Sequence, residues 1–294
     1  RTQFQNLGEL RNSGVEFLLN ATVIDKTFNW NTSFNFAFNK NEVTALAPGQ
    51  DIIDDGGSRY MNVVKVGESI GSFFGLEYAG VDPENGDGLF FINETDDNGN
   101  IINPGATTND ASEANFTILG DALPTTLAGW TNEFEYKGIS LSIFFQGSFG
   151  NQVHNSAGVF QSCGGCWFDN QTRDQLDAWQ QPGDITDVPE ARFYWGNADN
   201  GRSSRYLSSG DFVRLKTLTL GYELPSSFVD GIGFSRLRVY VTGQNLALFT
   251  DYEGWDPEVA ADFLADDAPN IQTSIDFYTA PQPRTIIFGI NAGF

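Results

Sequence analysis

Apolar and polar residues alternate with a period of two along several long stretches of the chain. The clearest is residues 28–39, FNWNTSFNFAFN, where Phe28, Trp30, Phe34, Phe36 and Phe38 share one side with Thr32. Asn29, Asn31, Ser33, Asn35 and Ala37 share the other. Successive strand residues point to opposite faces, so this is a strand whose two faces meet different surroundings. A half-buried strand of a soluble sandwich satisfies that pattern, and so does the wall of a membrane barrel.

The same period recurs. Val15, Phe17, Leu19, Ala21 and Val23 alternate with Glu16, Asn20 and Thr22, and a short DKT turn leads into the strand at 28. Trp130, Phe134 and Tyr136 precede a Lys137-Gly138 turn, and Ile139, Leu141, Ile143, Phe145 and Phe149 follow it. Near the end, Leu218, Leu220, Tyr222 and Leu224, then Leu237, Val239 and Val241, then Ile286, Phe288, Ile290, Ala292 and Phe294 form three more apolar rows. Weaker strand candidates at 69–80 and 87–93 bring the expected total to about nine strands in a single all-β region. Tight two-residue turns fit hairpins.

Loop lengths separate the two readings. Connections after 24, 136 and 224 are short, whereas those after 45, 93, 151 and 248 are long and rich in Gly, Asn, Asp and aromatic residues. A transmembrane antiparallel β-barrel sorts its loops in this way, with short periplasmic turns, long extracellular loops and strands that are apolar outside and polar inside. Counting back from Phe294 at the periplasmic side makes 25–27, 137–138 and 224–234 periplasmic and 152–210 extracellular. An even number of strands is then required between 45 and 126. No stretch approaches the roughly 18–20 consecutive apolar residues of a spanning helix, so any membrane residence is as a barrel.

Charge narrows the partners. With 38 acidic and 16 basic residues the formal net charge is −22, which argues against nucleic-acid binding and against docking on anionic lipid through a polybasic patch. The chain opens within a patterned region and carries no signal peptide, and it reads as the C-terminal part of a longer protein.

Four segments carry a family resemblance. They are NLGELRNSGVEFLLNATVI, YLSSGDFVRLKTLTLGYELP, LRVYVTGQNLALFTDYEGWDPE and PQPRTIIFGINAGF, in this order to the terminus. Together they resemble the late strands of SusC/RagA-type, TonB-linked outer-membrane transporters of Bacteroidetes. The resemblance implies about the last nine strands of a 22-stranded barrel, with the plug domain and TonB box outside this chain. It also implies import of oligosaccharides or peptides with a SusD-like surface lipoprotein, driven by TonB–ExbB–ExbD through the plug, in the bacterial outer membrane. The terminal Phe294 resembles the family's barrel-assembly signal. A surface adhesion or structural protein built on the same barrel is the alternative. An enzyme and a bound cofactor are not expected.

Candidate sites lie in the loops. Cys163 and Cys166 form a CGGC that reads as a redox pair, half a zinc site or a local disulfide. With His154 as the sole histidine and no thioredoxin-like context, a structural disulfide is favoured. Residues 83–94 half-match a calcium loop through Asn85, Asp87, Gly88 and Glu94, but Pro83 stands where a carboxylate is needed, so an Asn/Gly/Asp-rich turn is favoured. Trp167, Trp179, Tyr194, Trp195, Tyr252 and Trp255 are candidates for cargo contact, as are Phe168 and Tyr278, with packing of the loops or of a partner lipoprotein as the other reading. His154 lacks the elbow or oxyanion motif of a nucleophilic site.

Overall fold

The computed structural model describes residues 8–54, 60–192, 201–229, 231, 233–259 and 271–294. Seven strands form one sheet: β1 (Glu9–Asp25), β2 (Phe28–Ala45), β3 (Thr126–Tyr136), β4 (Ile139–Phe149), β5 (Phe212–Glu223), β6 (Arg236–Thr250) and β7 (Thr285–Gly293). Each pairs antiparallel with its neighbours in chain order, an up-and-down wall with free edges at β1 and β7. An 11-residue strand at about 3.4 Å per residue, tilted by about 40°, climbs about 29 Å, close to the thickness of a hydrocarbon core.

The register carries the apolar rows across the whole wall. Phe17 pairs with Phe36 and Leu19 with Phe34; Phe34 then meets Trp130, Trp130 meets Phe145, and Phe134 meets Leu141. Leu141 pairs with Leu220, Leu220 with Val241 and Val241 with Phe288. Ring contacts bind the row together, as between Trp30 and Phe134 (5.8 Å) and between Trp130 and Phe145 (6.1 Å). On the other face, Asn31 pairs with Glu133, Glu133 with Ser142, Ser142 with Thr219, and Thr219 with Thr242. A one-residue slip would mix the two rows, so the amphipathic pattern itself holds the register.

The β3–β4 turn needs positive φ at both positions, supplied by Lys137 (48°) and Gly138 (84°). That matches the twist of the flanking strands. At the same end of the wall, Phe294 packs its ring against Phe234, 5.0 Å between centroids.

Two polar residues interrupt the aromatic face. Asn132 and Thr32 are paired across β2 and β3. Asn132 accepts a hydrogen bond from the Trp30 indole (3.0 Å), and Thr32 Oγ1 accepts one from the Trp130 indole (3.0 Å). The indole rings cover the polar atoms and satisfy them, leaving Asn132 buried.

The wall holds seven strands among the described residues, and the weaker candidates at 69–80 and 87–93 are not part of it. They form Ser72–Gly75, Tyr78–Val81 and Gly88–Phe91, in two small sheets outside the wall. Four residues reach about 13 Å, too short to span a bilayer. Phe73 and Phe90 are fully buried, so these strands belong to a packed interior rather than to a two-faced wall. Among the described residues the number of wall strands between 45 and 126 is zero, which is still even, and the alternation of short and long connections is preserved.

The conventional core lies in the long connections. Met61, Phe73 and Ala122 form one buried cluster and Val153, Tyr252 and Val259 another, with Leu76 and Ile275 fully enclosed. The described residues of the connections 46–125, 150–211 and 251–284 thus build a folded cap at the end of the wall opposite the tight turns.

Candidate functional site

The amide face of the wall is the surface a polar cargo would meet. Its side chains bond laterally: Thr22 Oγ1 donates to Asn31 Oδ1 (2.8 Å), Ser33 Oγ to Asn20 Oδ1 (2.7 Å), and the Thr219 and Thr242 hydroxyls lie 2.9 Å apart. Asn20, Thr22, Asn31, Ser33, Thr131 and Glu133 line a groove of about 250 Å³. Nearer the tight turns, a cleft of about 530 Å³ is bordered by Asn29, Glu133, Glu135, Glu223, Arg236 and Arg238. There Arg236 grips Glu223 through two hydrogen bonds (2.9 and 2.7 Å), and Arg238 donates to Ser140 (2.9 Å). Such a surface presents hydrogen-bond donors and acceptors to a polar solute.

Charged residues of two sequence segments lock the cap to the wall. Arg214 of β5, buried with its side chain 3 % exposed, bonds Asp256 and lies 3.3 Å from Glu258. Lys216 Nζ donates to both Glu258 oxygens (3.1 and 3.0 Å). Asp256 also accepts the backbone N–H groups of Glu258 and Gln282, each at 3.0 Å. The sequence shows the charges of FVRLK and DPE, but nothing in their spacing says that they meet across 42 residues.

Trp179 is buried against Gly86 and donates its indole N–H to Pro83 O (3.2 Å). Gly86 has φ +77° and would place a Cβ 2.4 Å from the Trp179 ring, so only glycine fits there. Tyr252 is buried and donates to Asp276 (2.8 Å); burial and the Asp276 carboxylate hold its phenol protonated. These two rings are packing anchors with no open face for cargo.

Trp167 and Trp255 are exposed, and Tyr194 and Trp195 lie outside the described residues. Cys163 and Cys166 are joined by a disulfide, Cα–Cα 5.6 Å. Phe294 stands exposed at the edge strand.

Asp87, a ligand position of the calcium-loop half-match, is engaged by Arg192 at 2.7 Å. Among the described residues no group of three or more His, Cys, Asp or Glu side chains is placed to hold a metal. His154 is enclosed, with Nε2 3.1 Å from Gly201 O and its ring beside Phe73. Burial pushes its pKa down to about 4, which keeps it neutral near pH 7. No helix among the described residues is long and apolar enough to cross a membrane, which says nothing about strands.

No family model matches the chain. It is 36 % identical to the TonB-dependent receptor P3 of Formosa agariphila over its whole length. It is 28 % identical to the TonB-dependent receptor SusC of Bacteroides thetaiotaomicron over 99 % of its length. Among solved structures it matches that of the RagAB peptide transporter with a TM-score of 0.82 and 27 % identity, over all of this chain and 30 % of the other. The chain spans about a third of the length of its curated relatives, 30 % of P3 and 27 % of SusC. With an antiparallel wall that is aromatic on one face and polar on the other, the chain belongs to the SusC/RagA-type TonB-dependent outer-membrane receptors and forms part of their β-barrel.

Proposed function

We propose that this chain is the closing stretch of the barrel of an outer-membrane nutrient importer, the C-terminal part of its barrel domain. The reading rests chiefly on one observation: an amide, hydroxyl and carboxylate row running from β1 to β6 backs an apolar row, aromatic and aliphatic by turns, that crosses all seven strands. The aromatic face meets outer-membrane lipid and the polar face lines the conduit. Cargo is an oligosaccharide or a peptide, received at the cap with a SusD-like lipoprotein and passed inward when TonB–ExbB–ExbD acts on the plug. The similarity to a peptide transporter supports the peptide alternative. The chain is a conduit and not an enzyme.

The test is uptake of labelled peptides and oligosaccharides by cells carrying the full-length receptor, with and without TonB. Import that stops without TonB, while the receptor stays at the surface, is the expected result. Unchanged import, or a receptor that only mediates attachment, would overturn the reading in favour of an adhesion protein.

A further inference from the structure

The chain's negative charge is concentrated in the three long connections. Residues 46–125, 150–211 and 251–284 hold 30 of the 38 acidic residues and 7 of the 16 basic ones, so the wall and its turns are nearly neutral. Several of the cap's bases are already engaged. Arg192 bridges Asp87 and Glu190, and Arg202 pairs with Asp54. Others lie over aromatic rings, Arg205 over Tyr206 (5.2 Å) and Lys65 over Phe74 (5.7 Å).

Within this field stands an aromatic lip. The Cys163–Cys166 disulfide immediately precedes Trp167, Phe168 and Asp169. Trp167 packs on Phe160 (5.6 Å), and Asp169 accepts the Tyr278 hydroxyl (2.9 Å). The segment is therefore pinned on both sides of Phe168, whose ring is 97 % exposed. Trp167 and Tyr278 flank it, each about half exposed. Among the described residues no cation pairs with Asp169. An exposed ring at Phe168 and half-exposed rings at Trp167 and Tyr278, the latter packed against Phe277 (4.6 Å), beside an unneutralised carboxylate suit a cationic side chain, which gains from ring and carboxylate together.

We infer that the lip formed by Trp167, Phe168, Asp169 and Tyr278 is a subsite for Lys or Arg side chains of peptide cargo, and that the cap favours basic over acidic peptides. The inference rests on the import reading above and specifies its cargo. The surrounding charge raises the local concentration of basic peptides and repels acidic ones, an effect that salt screens.

The test uses the full-length receptor and three labelled peptides of equal length, with net charges of about +3, 0 and −3. At about 20 mM salt the basic peptide should bind at least about tenfold tighter than the acidic one, and at about 500 mM the gap should shrink to about threefold or less. Trp167→Ala and Asp169→Asn should each weaken the basic peptide about five- to twentyfold while leaving the neutral one within about twofold. Phe168→Ala, at a ring that no described residue covers, reports the lip without disturbing the fold.

Equal affinities for the three peptides, or indifference to all three substitutions, would overturn the subsite. So would a neutral oligosaccharide binding where peptides do not, or release of a co-purifying lipoprotein without change in peptide affinity. A flat charge series with TonB-dependent uptake intact removes the subsite and leaves the import reading standing. Loss of all TonB-dependent uptake removes both.

Discussion

Replacing Asp256 by Ala removes the anionic half of the buried clamp between β5 and the connection at 251–284. Arg214 would keep only Glu258, which lies 3.3 Å from its Nε and is itself shared with Lys216. The N–H groups of Glu258 and Gln282 would lose their acceptor. Breaking one side of a buried ion pair costs about 3–5 kcal/mol, because the remaining charge stays desolvated. The Glu258 contact and incoming water offset part of this, so a local cost of about 3 kcal/mol is expected, or a rise of about 150-fold in the opening constant of the segment. Hydrogen exchange of the full-length receptor reads this directly: the Glu258 and Gln282 amides should exchange about a hundredfold faster, while mid-wall amides of β5 and β6 keep their protection. Lys216→Met serves as the internal control. The Lys216–Glu258 pair is about 30 % exposed, and its loss should cost no more than about 1 kcal/mol. If Asp256→Ala left those amides unchanged, or if Lys216→Met matched it, the buried clamp would not be what fastens this connection.

Asn132→Ala leaves the Trp30 indole N–H facing lipid without an acceptor, at a cost of about 1–2 kcal/mol, and it should lower the temperature at which the folded receptor loses its heat-modifiable mobility in detergent gels. Thr32→Val should do the same through Trp130. His154 gives the cap an acid sensitivity. Its pKa falls from 6.5 in the unfolded chain to about 4 when folded, so below pH 6.5 the unfolded state binds the extra proton. The stability is complete above pH 6.5 and is lost as pH falls toward 4, by about 3 kcal/mol in total. Protease resistance of the cap measured between pH 7 and 4 should fall in that window, and His154→Gln should flatten the dependence.

The wall was legible because a membrane imposes one constraint on every strand. Each exposes one face to hydrocarbon and the other to water, so each reads with period two, and the pairing of Phe34 with Trp130 or Leu220 with Val241 follows once the turns at 26–27 and 137–138 are seen. The cap obeys a different rule. In SIGSFFGLEYAG the adjacent Phe73 and Phe74 and the three glycines erase any alternation, because Phe73 packs into an interior rather than onto a face. The strands expected there are real but short, and they serve the cap.

The loop aromatics show where sequence reading stops. Trp179 and Trp167 lie in the same connection, twelve residues apart in the chain, and no local feature separates them. What separates them is a partner about a hundred positions away: Pro83 and Gly86 receive Trp179, whereas one face of Trp167 remains open. Tyr252 is likewise decided by Asp276 and Trp255 by the lack of such a neighbour among the described residues. In a cap whose contacts are mostly between distant connections, composition marks which residues are able to bind cargo, and packing decides which remain free to do so. Of the rings left exposed, Trp167, Phe168 and Tyr278 sit where the disulfide and the Asp169 hydrogen bond make the backbone stiff. A binding residue that is pre-positioned loses less entropy on contact than one on a loose loop, so rigidity at this lip favours binding instead of opposing it.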